Sequence, residues 1–160
     1  AQVIHIEHLH DYGKLLFAFV FFWAYLAFSQ YMLIWYANIP EETAWLLRRQ
    51  ENGWGWVGLI LLFGHWMLPF AALMSRWGKR SRSWLLFWAA WVFVMHAVDL
   101  YWIVIPEVTP NNATPHLMDV LCFVGIAGFY VAGLSRLAGR SELIPKRDPR
   151  LGESLAFENA

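Results

Sequence analysis

Three ionisable side chains interrupt long apolar runs of this sequence: His65, His96 and Asp99. Gln30 and Asp119 sit in similar runs, nearer their ends. A charge in a hydrocarbon medium costs roughly 3 kcal/mol or more unless it is paired, hydrated or neutralised. Residues that bear such a cost are where chemistry is sought first. Imidazole titrates near neutral pH, and a carboxylate beside it orients the ring and stabilises its charged form. His96 and Asp99, at i and i+3, share one face of a helix. Asp99 makes the heaviest demand, because a buried carboxylate is costlier than a neutral imidazole.

The elements that must position these groups are transmembrane helices. The chain has 160 residues, 59% hydrophobic and only 15% charged. A water-soluble domain carries about 25% charged residues, so composition points to lipid. A bilayer core needs roughly 20 apolar residues as helix, and four stretches qualify: about 15–36, 56–74, 84–105 and 117–137. Each must be helical, since unpaired backbone groups find no partner in lipid. Short connections make neighbours antiparallel. The expected fold is an all-α, polytopic, four-helix antiparallel bundle over 1–138, followed by a charged, Pro- and Gly-bearing tail over 139–160.

Orientation follows from the cations. Lys14, Arg76, Lys79, Arg80, Arg82, Arg136, Arg140, Lys146, Arg147 and Arg150 fall on one side, and only Arg48 and Arg49 on the other. The positive-inside rule then puts both termini in the cytoplasm. Formal net charge is zero, which gives no global field for nucleic acid. The single cysteine, Cys122, excludes an intrachain disulfide and a cysteine-held iron–sulfur cluster or c-type haem. The opening residues lack both an initiator Met and a basic leader, so a piece of a longer chain is expected.

Counting along the helices places His65 and His96 each nine residues from the outer end of its span, Trp56 and Ile105 respectively. At 1.5 Å per residue both lie roughly 13–14 Å deep, where they can meet across an antiparallel pair. Asp99 and Gln30 lie about a turn shallower, and Asp119 shallower again. Pro69 withholds a donor from the His65 carbonyl and should kink the second span. Three readings follow: a quinol pocket or proton path, a pair of axial ligands for a b-type haem, and plain helix–helix hydrogen bonds.

Smaller features complete the reading. Thr114 and Pro115 are expected to start the fourth helix as N-cap and N1. Residues 38–43 read either as the start of a short surface helix or as an irregular loop. Asp11 and Lys14 should pair at i, i+3. His5, His8, His10 and Asp11 lack a metal-ligand spacing and are expected to be solvated boundary residues. Gly125, Gly128, Ala132 and Ser135 form a small-residue stripe suited to helix packing.

The blocks His10-Asp11-Tyr12-Gly13-Lys14-Leu15-Leu16-Phe17-Ala18-Phe19 and Phe28-Ser29-Gln30-Tyr31-Met32-Leu33-Ile34-Trp35-Tyr36-Ala37-Asn38-Ile39-Pro40-Glu41-Glu42-Thr43, with the tail from Leu143 to Asn159, resemble the F membrane subunit of bacterial alternative complex III. The resemblance spans nearly the whole chain. It implies an anchor of the polysulfide reductase type in a respiratory quinol:electron-acceptor oxidoreductase, with partner subunits carrying the haems and iron–sulfur clusters and this chain contributing quinol binding, proton conduction or both. It weakens the haem reading, since such anchors are not haem proteins. Family members are longer, so the chain resembles a C-terminal portion. On this reading Asp99 is the proton acceptor, His96 and His65 tune or relay, and Gln30 and Asp119 continue outward. A purely structural anchor for peripheral redox subunits remains the alternative.

Overall fold

The computed structural model describes residues 6–109, 111, 113–140 and 148–156. Among the described residues the only regular elements are helices. Four of them are long and apolar enough to cross a bilayer: Ile6–Ala37, Trp54–Met74, Arg82–Val108 and Leu117–Ala138. The chain is thus an all-α, multi-pass membrane protein. Each helix runs further than its apolar window, because the backbone ladder continues through the polar residues that flank the lipid-compatible stretch. The first gains nine residues at its start relative to expectation, and so takes in His10, Asp11 and Lys14.

Internal contacts divide the chain into two units, Ala1–Ala113 and Thr114–Ala160. The fourth span therefore groups with the tail instead of with the first three spans. Unit 1 holds helix α1 (Ile6–Ala37), a short α2 (Pro40–Arg48), a broken second span, a five-residue α5 (Arg76–Arg80) and α6 (Arg82–Val108). The second span is α3 (Trp54–Ile60), a π-helical segment (Leu61–Met67) and α4 (Leu68–Met74). The π segment ends two residues before Pro69, where the sequence predicts a disturbed ladder. Leu68 N–H donates to the Phe63 carbonyl, five residues back. A wider turn is how the ladder absorbs a proline that cannot donate to the fourth carbonyl before it.

The spans of unit 1 run up, down and up. Phe17 stacks on Phe70 with ring centroids 5.1 Å apart, and Trp23 lies on His65. The π segment and α6 approach closely. A Cβ on Gly64 would lie 2.9 Å from Met95 Sδ, and Trp91 Nε1 donates to the Gly64 carbonyl at 2.8 Å. Val20, Leu73, Leu85 and Trp88 form the buried apolar core, with Leu16, Phe17 and Phe70 packed against it.

The two ends of unit 1 are built differently. At one end, α1 passes so close to α5 that a Cβ on Gly13 would meet Lys79 Cγ and Cβ at 2.8 and 2.9 Å. His10 is buried there, against the expectation of a solvated residue, because α1 begins early enough to pack on α5. His8 is half-buried, and His5 lies outside the described residues. Lys14 Nζ pairs with Asp11 Oδ1 at 3.2 Å, as the spacing predicted.

At the other end the short surface helix forms. Pro40 opens α2, Glu41 and Glu42 lie in its first turn, and Thr43 Oγ1 donates to the Ile39 carbonyl at 3.1 Å. Positive φ at Asn38 (48°), Asn52 (50°) and Gly53 (90°) turns the chain into and out of this helix.

Unit 2 contains α7 (Leu117–Ala138) and α8 (Leu151–Leu155). The expected Thr114–Pro115 start gives way to a capping box two residues later. His116 Nδ1 accepts from Met118 N–H at 3.3 Å, and Asp119 Oδ2 accepts from His116 N–H at 2.9 Å. Satisfying two orphan amides at once outweighs a proline at N1 alone. None of α7 is buried, its small-residue stripe included. Of the expected tail, residues 141–147 and 157–160 lie outside the described residues.

Candidate functional site

Asp99 is buried on α6, 7% exposed, nine residues from that helix's last residue. Its carboxylate accepts a hydrogen bond from Trp23 Nε1 at 2.8 Å. His96 Nδ1 lies 3.8 Å from the same oxygen, Oδ2. That is within ion-pair reach when the imidazole is protonated, and too long for a good hydrogen bond. Oδ1 has no hydrogen-bond partner among the described residues. The i, i+3 spacing thus brings His96 and Asp99 to one face, as the sequence required.

His65 joins them from the π segment. It is 2% exposed, and its ring centroid lies 4.0 Å from the Trp23 ring and 6.0 Å from His96. The matched depths inferred by counting are therefore realised as contact. His65 Nδ1 is fully buried with no hydrogen-bond partner among the described residues. An orphan of this kind costs about 1–3 kcal/mol and marks a place where a further polar group would be bound favourably. His96 is the open member, with 55% of its side chain exposed. The cluster therefore has an open edge at His96 and a closed back at His65.

Trp23 is the residue that sequence reasoning missed. A signal was available: Trp favours the two membrane boundaries, whereas Trp23 stands mid-span, where its N–H must find an acceptor. Asp99 supplies it. The indole face meanwhile covers His65, so one side chain holds both titratable groups in place.

The remaining expected members are elsewhere. Gln30 is exposed on α1, two turns beyond Trp23 toward α2. Asp119 is half-buried in unit 2, where its carboxylate caps α7. Within unit 1, Gln30 does not touch Asp99.

Gly64 and Met95, each one residue before a histidine, are packed against one another. Trp91 bridges the same two helices through the Gly64 carbonyl, and Trp23 covers His65.

A second polar centre, also missed, closes the α2 end. The Arg49 side chain is wholly buried, its guanidinium carbon 3.5 Å from the centre of the Trp45 ring. Its nitrogens donate to the Trp45 carbonyl at 2.8 Å, to Glu107 Oε1 at 3.1 Å and to the Ile103 carbonyl. Burial pushes the guanidinium below its usual range, and Glu107 opposes that shift. Arg48 holds the other Glu107 oxygen. This is a clamp between α2 and α6, with no open edge at Arg49. No protein-family model and no curated protein matches the chain.

Proposed function

We propose that this chain is a membrane subunit of a bacterial respiratory quinol:electron-acceptor oxidoreductase of the alternative complex III type, and that it takes quinol at the edge of the Trp23–His65–His96–Asp99 cluster. The observation that carries the reading is the cluster itself. A buried carboxylate with one oxygen unengaged, a buried imidazole with an orphaned nitrogen and a half-exposed imidazole meet at mid-helix depth.

Quinol oxidation releases two electrons and two protons. The electrons leave to haem or iron–sulfur centres on partner subunits. One quinol hydroxyl gives its proton to Asp99 through the His96 imidazole, and the other hydroxyl, across the ring, gives its proton to a group outside this cluster. The resulting imidazolium then lies 3.8 Å from the Asp99 carboxyl, which orients it. His65 stays behind Trp23 as a second acceptor. Gln30, two turns along α1, extends the polar trail toward the α2 end, on the side opposite the cytoplasm by the distribution of cations.

The structural-anchor alternative has its own support, since the Trp23–Asp99 bond is a satisfied tie between α1 and α6. It leaves the His65 orphan and the exposure of His96 without a purpose. The two readings separate on His96→Leu. Loss of one ligand hydrogen bond should weaken binding of a short-chain quinone about tenfold, measured by titration of the membrane-embedded chain. Affinity within a factor of two of wild type would favour the anchor.

A further inference from the structure

The end of unit 1 opposite the Arg49 clamp gathers five cations, Lys14, Arg76, Lys79, Arg80 and Arg82, against two acids, Glu7 and Asp11. Both acids are engaged: Asp11 with Lys14 at 3.2 Å, and Glu7 with Arg80 NH2 at 2.9 Å. Arg76, Lys79 and Arg82 have no carboxylate partner among the described residues. Arg76, Lys79 and Arg80 lie on the single five-residue helix α5, Arg82 opens α6 two residues later, and Lys79 meets α1 at Gly13, next to Lys14.

Lys79 is the member that most lacks an anion. Its side chain is buried against Gly13, with the ammonium 4.7 Å from the centre of the Phe17 ring. An aromatic face partly compensates a cation, but the neighbouring charge is the cation Lys14. Burial first, and then Lys14, hold the ammonium below the usual lysine range. An anion at this point would relieve both effects.

The surroundings say what kind of anion. Leu86, exposed and apolar, follows Arg82 by one turn on the same face of α6, and exposed Phe87 lies next to it. Trp84, partly exposed, stands between the two regions with its N–H on the Ala72 carbonyl at 3.4 Å. That is the placing of a boundary tryptophan. A free phosphate would use the cations alone, whereas a phospholipid uses both surfaces.

We propose that Arg76, Lys79 and Arg82 bind the headgroup of an anionic phospholipid whose acyl chains run along the exposed face of α6 that begins at Leu86. The site does not depend on the quinol reading. It is tested on the full chain in detergent by native mass spectrometry, with phosphatidylglycerol, phosphatidylcholine or inorganic phosphate added. Phosphatidylglycerol should be retained at least about tenfold more tightly than phosphatidylcholine. Arg76→Gln and Arg82→Gln should each weaken it about fivefold, since one cation contributes roughly 1 kcal/mol at such a surface. Both side chains are exposed, so the variants should keep the wild-type helical circular dichroism. Retention by the wild type should also fall as salt rises. Equal retention of the two lipids, salt-independent retention, or displacement of phosphatidylglycerol by equimolar inorganic phosphate would overturn the proposal.

Discussion

Asp99→Asn is expected to lower quinol turnover of the assembled complex about 100-fold or more while leaving assembly intact. The substitution is nearly isosteric, and the amide oxygen can still accept from Trp23 Nε1, now 2.8 Å from the carboxylate. The tie between α1 and α6 therefore survives. What is lost is the ability to take a proton, and removing a positioned general base costs about 10²–10⁴ in rate. Trp23→Phe is the informative companion. It keeps an aromatic ring over His65 and deletes the N–H, leaving a buried acceptor short of a partner at about 1–3 kcal/mol. That variant should unfold at a lower temperature yet retain more turnover than Asp99→Asn. If Asp99→Asn turns over quinol at the wild-type rate, the carboxylate is a structural tie and nothing more.

Arg49→Met is expected to produce the largest loss of stability, about 3 kcal/mol. Methionine follows the path of the side chain but cannot stack as a cation on Trp45, a contact worth about 2 kcal/mol when desolvated. It also leaves the Trp45 and Ile103 carbonyls without their donor, at about 1–3 kcal/mol. Glu107 is 40% exposed and keeps Arg48, so the stranded carboxylate adds little. Lysine should rescue poorly, because one ammonium cannot reproduce a planar fork that meets three acceptors. Arg48→Met removes only an exposed pair and should cost about 1 kcal/mol or less. Thermal unfolding in detergent, followed by tryptophan fluorescence, ranks the three variants. Equal midpoints for Arg48→Met and Arg49→Met would refute the clamp.

The spans were legible because lipid allows few answers: a long apolar run must be a helix, and its length sets the count. The meeting of His65, His96 and Asp99 was legible for a similar reason, since depth along an antiparallel pair is fixed by rise per residue. Trp23 was hidden because its indole looks, in sequence, like any other aromatic of a membrane helix. Arg49 was hidden because a cation beyond a span reads as solvated until a partner is seen, and Glu107 is 58 positions away. The π segment shows a limit of another kind. Pro69 announces that the ladder must yield, but not that it yields as a wide turn, which also holds Gly64 against Met95. The start of α7 was misplaced because histidine is an uncommon cap, effective here only through its reciprocal bond with Asp119.

If the cluster handles the protons of quinol, Asp99 must change protonation or hydrogen bonding when quinol replaces quinone. Infrared difference spectra between the quinone- and quinol-equilibrated chain read this directly. The account predicts a carboxylic C=O band that is present in wild type, shifts in deuterium oxide and is missing from Asp99→Asn. Superimposable difference spectra for wild type and Asp99→Asn would contradict it.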